Sequence, residues 1–245
     1  MTKLPVLILG ARSDIGLAVA HAFAAEGYPV QLAARNADGL SAAKNDLELR
    51  YGQNVTLHEF DALALADHAG FIDNLPQLPG IAVCAVGLMG EQSASEAKPM
   101  VATEVLRSNF EGPASILAHL ANRFEERGSG VLVGISSVAG ERGRATNYIY
   151  GSAKAGFTAF LSGLRNRLAG AGVHVVTVLP GFVATRMTES MDLPAKLTAQ
   201  PQEVASAIVR ATRKRRNIIY VRPIWQLVMA VIRNIPEQVF KKLKL

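Results

Sequence analysis

The segment that decides the fold is Val6-Leu7-Ile8-Leu9-Gly10-Ala11-Arg12-Ser13-Asp14-Ile15-Gly16. Its four leading apolar residues are typical of a strand that is buried on both faces. Two glycines follow, and a helical apolar pattern begins at Ile15. A strand, a glycine-containing turn and a helix in this order form the place where a doubly wound sheet binds a pyrophosphate. Because two glycines alone are a weak signal, an ordinary strand-to-helix turn is the alternative.

The rest of the chain repeats this alternation of short strands and longer helices. Further strands are predicted at Pro29–Ala34, Val55–Glu59, Ile81–Val86, Val131–Ser136, Val173–Leu179 and Ile218–Val221. Helices are predicted at Ile15–Glu26, Leu40–Tyr51, Ala64–Asn74, Thr103–Glu126, Tyr148–Ala169 and Pro201–Lys214. This pattern predicts an α/β fold with a doubly wound parallel sheet, the Rossmann fold.

The length of 245 residues, without a shift in composition, predicts a single domain. Residues 1–222 are assigned to the Rossmann domain and residues 223–245 to an apolar and basic tail of the same domain. Cys84 lies in an apolar run, and no secretion signal or spanning segment is recognisable, so we expect a cytoplasmic protein. The five histidines are dispersed, so we expect no metal site.

The net charge of +6 is concentrated near the end of the chain. From Arg210 onward there are ten Lys and Arg residues against one acidic residue, Glu237. A basic tail can contact nucleic acid, an anionic membrane or an anionic substrate. Nucleic acid is disfavoured because the basic segment lacks interleaved surface aromatics and a recognition fold.

The segment Tyr150-Gly151-Ser152-Ala153-Lys154 predicts acid–base chemistry. On a helix, Tyr150 and Lys154 stand one turn apart on the same face, so an ammonium can lie beside a phenol and lower its pKa. Ser137 would then hydrogen-bond a substrate oxygen, and Asn109 would hold a water that links Lys154 to solvent. These four residues are the predicted catalytic set, and the implied reaction is proton transfer to a carbonyl oxygen. The alternative is that the two residues have no catalytic role, with Tyr150 packed in the protein and Lys154 solvated.

The end of the second predicted strand indicates which nucleotide would be bound. A fold that selects NADH places a carboxylate there for the ribose hydroxyls, whereas this chain has Ala34 and then Arg35. A guanidinium at that point can bind a 2′-phosphate, so NADPH is favoured over NADH. Arg12 could assist or could be solvated. Asp61 could accept a hydrogen bond from the adenine amino group, or it could simply cap a helix.

These residues together resemble the short-chain dehydrogenase/reductase family over nearly the whole chain. The matching positions are Gly10 and Gly16 of the glycine motif, the set Asn109, Ser137, Tyr150 and Lys154, and the segment Pro180-Gly181-Phe182-Val183-Ala184-Thr185. The resemblance implies an NAD(P)-dependent oxidoreductase. It also implies that Lys154 orients the cofactor ribose and that Pro180, Gly181, Val183 and Thr185 line the nicotinamide pocket. The cofactor set is completed by Gly10, Arg12, Ser13, Ile15, Gly16, Arg35, Asp61 and Gly87.

The sequence departs from the family pattern at two places. Asp14 replaces the middle glycine of the motif, which brings a carboxylate near phosphates unless it caps the first helix. The usual Asn-Asn-Ala-Gly after the fourth strand is Cys84-Ala85-Val86-Gly87, of which only the glycine is retained.

With the tail, these departures resemble the branch of decaprenylphosphoryl-2-keto-ribose reductases. That branch acts in cell-wall biosynthesis on a 2-keto-pentose carried by a polyprenyl phosphate. Arg142 and Arg144 are candidate contacts for such an anionic substrate. The alternatives are a 3-oxoacyl thioester or small soluble ketone as substrate, or a catalytically idle nucleotide-binding scaffold.

The tail after Pro223 carries apolar residues on one helical face, namely Trp225, Val228, Met229, Ile232 and Ile235. Pro236 starts a new turn, and Val239, Phe240 and Leu243 follow among Lys241, Lys242 and Lys244. This pattern is interfacial rather than spanning, and it predicts peripheral contact with the inner face of the cytoplasmic membrane. The alternative is that the stripe packs on the domain or on a second subunit. We expect a homo-oligomer, with which both interpretations are compatible.

Overall fold

The computed structural model describes residues 3–243. The strands are β1 (Val6–Leu9), β2 (Val30–Ala34), β3 (Val55–Glu59), β4 (Ile81–Cys84), β5 (Gly130–Ile135), β6 (Val173–Pro180), β7 (Phe182–Val183), β8 (Thr198–Ala199) and β9 (Ile218–Val221). The helices are α1 (Asp14–Ala25), α2 (Ser41–Tyr51), α3 (His68–Asp73), α4 (Gln92–Ala97), α5 (Pro99–Leu106), α6 (Gly112–Arg127), α7 (Tyr148–Leu168), α8 (Pro201–Arg213), α9 (Ile224–Asn234) and α10 (Glu237–Phe240). Lys244, which belongs to the predicted basic tail, lies outside the described residues.

Seven strands in this range form one parallel sheet in the order β3-β2-β1-β4-β5-β6-β9. The predicted fold is confirmed, as a doubly wound Rossmann sheet in a single domain. The chain runs outward from β1 to β3 and then returns to place β4 on the other side of β1, where Leu9 pairs with Cys84. This reversal opens a crevice at the carboxyl ends of β1 and β4, which is where open α/β sheets bind ligands.

The sheet is buried because its strands alternate their side chains between two apolar layers. Val6 and Ile8 face a core that includes Phe23 of α1 and Ile208 of α8. Leu7 and Leu9 face a second core that includes residues of α6 and α7, such as Leu120 and Leu161. Each fully buried side chain of this size contributes roughly 1.5–3 kcal/mol.

The region around Asn109 differs from the sequence prediction. The single helix predicted at Thr103–Glu126 consists of α5, a π-helical turn at Arg107–Glu111, and α6. The preceding α4 was not predicted. π-Helical turns are frequent at functional sites, and Asn109 lies inside this one.

The tail packs on the domain through the stripe identified in the sequence. Trp225 and Met229 are buried with Val138 and Leu179, and Val228 and Ile232 lie against this cluster. Of the two interpretations of the stripe, packing on the domain is therefore the one that the structure shows for the buried Trp225 and Met229, while Val228 and Ile232 are partly buried. Between residues 3 and 243, no helix combines the length and apolar character that a membrane crossing requires.

Candidate active site

The turn after β1 has the geometry expected of a nucleotide-binding glycine turn. Gly10 has a φ of 83°, and a Cβ there would lie 2.9 Å from the backbone of Ala85. Ser13 closes the turn, because its hydroxyl donates to the carbonyl of Gly10 and accepts from the amide of Gly16. A Cβ on Gly16 would lie 2.5 Å from the carbonyl oxygen of Gly10. Both glycines are therefore required by close packing.

A cleft of about 360 Å³ opens beside this turn. Six of the predicted cofactor residues line it, namely Gly10, Arg12, Ser13, Arg35, Asp61 and Gly87. Arg12 also reaches the neighbouring loop, since its guanidinium lies 3.4 Å from the carbonyl oxygen of Arg35. Ile15 lies in the first turn of α1 and packs against the core. Arg12 and Arg35 thus line the cleft at the end of β2. At this point Ala34 stands where a fold that selects NADH has a carboxylate.

Glu59 was missed in the sequence, although it shapes the loop that carries Arg35. Its carboxylate accepts hydrogen bonds from the amides of Asn36 and Ala37, both at 2.9 Å. These bonds, led by the one from Ala37, lower the pKa of Glu59. The carboxylate at the end of β3 therefore braces the loop, and Asn36 adopts a left-handed conformation with a φ of 55°.

Asp61 has a local structural role besides lining the cleft. Its carboxylate accepts a hydrogen bond from the amide of Leu63 at 2.9 Å. The buried His68 lies 3.3 Å from the carbonyl oxygen of Asp61 and 2.9 Å from the hydroxyl of Ser115. The loop after β3 is therefore held in place from both sides.

Asn109 and Lys154 meet at Gly87, which lines the cleft. A Cβ on Gly87 would lie 3.0 Å from Oδ1 of Asn109 and 3.5 Å from Nζ of Lys154. The fully buried Asn109 donates to the carbonyl oxygens of Leu88 and Val105, at 2.5 and 2.8 Å. These bonds fix the Asn109 amide beside Lys154, while the water relay itself stays a prediction.

Ser137 and Tyr150 lie together at the carboxyl end of β5. Ser137 accepts a hydrogen bond from the amide of Ala139, and its hydroxyl lies 3.5 Å from the carbonyl oxygen of Pro180. Burial raises the pKa of Tyr150 to about 12, and a hydrogen bond with Ser137 opposes this shift. Tyr150 therefore holds its proton at neutral pH, which is the state that a proton donor needs.

Lys154 is almost completely buried, with 3% of its surface exposed. Its ammonium donates to the carbonyl oxygen of Ile135 at 3.1 Å and lies 5.7 Å from the centre of the Tyr150 ring. Burial lowers the pKa of Lys154 to about 8. The predicted lowering of the Tyr150 pKa by Lys154 is not seen, because burial raises the Tyr150 pKa and the opposing contribution comes from the hydrogen bond with Ser137.

The segment after β6 reaches the same end of the sheet. Pro180 and Val183 are buried, and Val183 forms the short strand β7 that pairs with β8. A Cβ on Gly181 would overlap the indole of Trp225, so the tail helix packs directly on this segment. Trp225 also donates to the carbonyl oxygen of Leu197 at 3.1 Å.

Asp14 does not cap the first helix, because Ser13 does so. The Asp14 carboxylate instead pairs with Arg186, which follows Thr185. It accepts from the amide of Arg186 at 2.7 Å and from its Nε at 2.9 Å. The residue that replaces the middle glycine of the motif is thus paired with a residue from a distant segment.

The two substrate candidates have different surroundings. Arg142 donates to the carbonyl oxygens of Ile232, Arg233 and Ile235, and it pairs with Glu237. These contacts cap the end of α9, so the structure gives Arg142 a tail-binding role in place of the predicted substrate contact. Burial lowers the pKa of Arg144, and its Nε is buried without a hydrogen-bond partner in the described part of the chain. Arg144 therefore stays a candidate.

The family model of the short chain dehydrogenases matches residues 5–195. The chain belongs to the short-chain dehydrogenase family. The predicted resemblance to this family and the prediction of an oxidoreductase are therefore confirmed, while the resemblance to the branch of decaprenylphosphoryl-2-keto-ribose reductases stays a prediction.

Similar proteins are known in several bacteria. An uncharacterized oxidoreductase of Mycobacterium tuberculosis (strain H37Rv) is 39% identical over 98% of this chain and 96% of that protein. The ketoacyl reductase HetN of Nostoc is 30% identical over 90% of this chain and 79% of that protein.

The fold of this short-chain dehydrogenase is also that of solved structures. A short-chain dehydrogenase from Sphingobium yanoikuyae, solved in complex with NADPH, superposes with a TM-score of 0.81. The two chains are 24% identical, and the similarity covers 96% of this chain and 97% of the other.

Proposed function

We propose that this short-chain dehydrogenase is an NADPH-dependent reductase of a keto group. The observation that carries the proposal is the convergence of Ser137, Tyr150, Lys154 and Asn109 at the carboxyl edge of the sheet, beside a cleft lined by Arg12 and Arg35. The glycine turn, the Gly87 contact and the Pro180–Thr185 segment fit a dinucleotide. NADPH in the Sphingobium structure supports the choice of cofactor. When bound, the nicotinamide supplies the hydride.

The residues of the chain would handle the proton. Ser137 donates a hydrogen bond to the substrate oxygen and polarises the carbonyl. Tyr150, whose raised pKa keeps it protonated, donates its proton to that oxygen as negative charge develops there. Lys154 is largely protonated at neutral pH and stabilises the resulting phenolate. Asn109 holds the region between Gly87 and Lys154 in place.

Two substrate classes have support. A 2-keto-sugar on a polyprenyl phosphate is supported by Arg144, whose desolvated guanidinium suits a polar or anionic group. A 3-oxoacyl thioester is supported by the similarity to a ketoacyl reductase. We place the polyprenyl-linked sugar first because the tail adds an independent feature.

That feature is a second apolar stripe on α9, opposite to the buried one. Ile224, Leu227 and Val231 are 48%, 65% and 61% exposed. They follow one another at helical spacing, and the basic residues Lys241 and Lys242 are exposed nearby in the chain. We propose that this stripe contacts an anionic membrane surface, where a substrate with a long prenyl chain would be held.

The test of the reductase is consumption of NADPH with a panel of carbonyl compounds. The panel contains a polyprenyl-phosphoryl ketopentose, a 3-oxoacyl thioester and simple ketones. Tyr150→Phe keeps the ring but removes the proton, so turnover should fall by at least about a hundredfold with cofactor binding preserved. Tyr148→Phe, an exposed tyrosine of the same helix, is the matched control. Wild-type turnover in the Tyr150 variant would refute the assigned chemistry.

A further inference from the structure

The Asp14–Arg186 pair connects two segments that lie 172 residues apart in the sequence. Asp14 is the first residue of α1, and Arg186 follows the segment that lines the predicted nicotinamide pocket. Besides the two bonds to the Asp14 carboxylate, the guanidinium donates to the carbonyl oxygen of Arg12 at 2.5 Å. One arginine thus makes three contacts with the glycine turn.

The segment that carries Arg186 is itself braced. The Thr188 hydroxyl donates to the carbonyl oxygen of Val183 at 2.6 Å and accepts from the amide of Thr185 at 3.2 Å. Residues 183–188 therefore form a compact unit, and Arg186 attaches this unit to the turn. Arg12 lines the cleft, so the attachment lies at its border.

The charges make the pair more than a structural contact. A carboxylate at the first turn of α1 lies where a dinucleotide of this fold places its pyrophosphate. Such a charge repels phosphates at short range unless a cation neutralises it. Arg186 is that cation, and its side chain is 71% exposed, so the pair lies at the protein surface, beside Arg12 at the border of the cleft, and not in the core. Exposed ion pairs contribute little to folding stability.

We infer that Asp14 and Arg186 form a clasp at the border of the cofactor cleft, in which Arg186 neutralises Asp14 and holds residues 183–188 against the glycine turn. The clasp gives this chain a way to bind a dinucleotide without the middle glycine of its family. The inference rests on the proposed NADPH site and is independent of the identity of the keto substrate.

The test is equilibrium binding of NADPH, measured by fluorescence titration of the apo protein without substrate. Arg186→Ala leaves the carboxylate unneutralised and should weaken binding about tenfold. Asp14→Gly restores the usual glycine and should change affinity by less than about threefold. The double variant should return to within about threefold of Asp14→Gly, because no uncompensated charge remains.

Two controls distinguish the clasp from a general effect of lost surface charge or lost stability. Arg50→Ala breaks a comparable exposed ion pair with Asp46 on α2 and should leave NADPH affinity unchanged. Urea unfolding of each apo variant should give wild-type midpoints. A double variant as weak as Arg186→Ala would show that Arg186 acts without Asp14 and would overturn the inference. So would equal affinities in all variants, or unfolding midpoints that fall in parallel with affinity. If the wild type binds no NADPH, the proposed function fails as well.

Discussion

Burial shifts the pKa values of Tyr150 and Lys154 in opposite directions, and each shift favours the neutral form. For the tyrosine, this shift preserves the proton that the proposed reaction transfers. For the lysine, burial without a carboxylate partner is a cost to the folded state. The proposed chemistry is therefore accompanied by a lower folding stability, which is common among active sites.

We expect Lys154→Met to stabilise the apo protein while abolishing turnover and weakening cofactor binding. The shift of the lysine pKa from 10.5 to about 8 corresponds to a cost of up to about 3 kcal/mol. Losing the bond to Ile135 offsets about 1 kcal/mol of the gain. Because the folded pKa lies below the unfolded one, wild-type stability should rise with pH between about 8 and 10.5.

Urea unfolding at neutral and at alkaline pH measures this difference. The variant should lack the alkaline rise that its lysine causes in the wild type. Lys44→Met, at a half-exposed lysine of α2, is the control and should reproduce the wild-type pH dependence. A destabilised Lys154→Met protein at neutral pH would show that the ammonium is well solvated or paired.

Arg35 should select NADPH through the 2′-phosphate. Arg35→Ala is expected to weaken NADPH binding by about 1.5–3 kcal/mol, as for loss of a charge-assisted hydrogen bond, and to leave NADH binding nearly unchanged. The measurement is titration with both nucleotides. Arg50→Ala again serves as control, since Arg50 pairs with Asp46 on α2. An equal loss for both nucleotides would mean that Arg35 does not contact the phosphate.

At the scale of single residues, the spacing of residues in the sequence was enough to predict the Tyr150/Lys154 pair and the glycine turn. Their partners are close in sequence or fixed by a helical turn. Arg186 and Glu59 were missed because their partners are 172 and 22 to 23 residues away. Only the fold brings them together, and neither belongs to a short motif.

Among the elements, the strands could be predicted best. The bounds of β1, β3 and β9 agree with the prediction, those of β2, β4, β5 and β6 differ by one or two residues at one or both ends, and the two-residue strands β7 and β8 were not predicted. Buried parallel strands have near-continuous apolar runs, which periodicity identifies easily. The π-helical turn at Arg107–Glu111 could not be predicted, because its side chains continue the helical pattern of α5 and α6.

The helix α9 shows why one apolar stripe does not define its partner. Its buried stripe and its exposed stripe are both apolar, so the pattern could not tell which face meets the protein. The indole of Trp225 decides the question by occupying the space over Gly181 and packing against Phe182, with ring centres 5.2 Å apart. The tail helix therefore packs directly on the segment that follows β6.

We expect Trp225→Ala to destabilise the protein by about 3–5 kcal/mol, because it opens a cavity under the Pro180–Thr185 segment. Trp225→Phe keeps much of the packing but loses the bond to Leu197 and should cost less. Leu227→Ala, on the exposed face of the same helix, should stay within about 0.5 kcal/mol of the wild type. Chemical unfolding of the three variants measures the order, and equal effects of Trp225→Ala and Leu227→Ala would contradict this placement.

At the scale of the whole molecule, the tail contacts the segment between Ser137 and Tyr150, and it also carries the exposed stripe that is proposed to contact a membrane. Arg142 holds the end of α9, and Glu141 accepts hydrogen bonds from Tyr220 and Arg233. Arg142 and Glu141 both lie between Ser137 and Tyr150 in sequence. Deleting the tail would consequently disturb the site as well as any membrane contact, so a truncation cannot separate the two roles.

Substitutions on the exposed stripe can separate them. Leu227→Ser with Val231→Ser removes two apolar side chains from the stripe without touching Trp225 or Met229. We expect wild-type protein to bind anionic vesicles, with binding that weakens as salt is added, since each basic residue near the surface contributes about 1 kcal/mol. The double variant should bind several-fold more weakly, because less apolar surface enters the interface.

Co-sedimentation with phosphatidylserine-containing and with neutral vesicles measures this, alongside turnover of a short soluble ketone, which should be unchanged in the variant. Leu49→Ser replaces a leucine that is 87% exposed on α2 and should bind vesicles like the wild type. A contact between subunits would give a different result. If the wild type ignores both kinds of vesicle, while the double variant changes its mass in size-exclusion chromatography with light scattering, the stripe is a contact between subunits. The polyprenyl-linked substrate then loses its support from the tail, and the 3-oxoacyl thioester becomes the better-supported substrate.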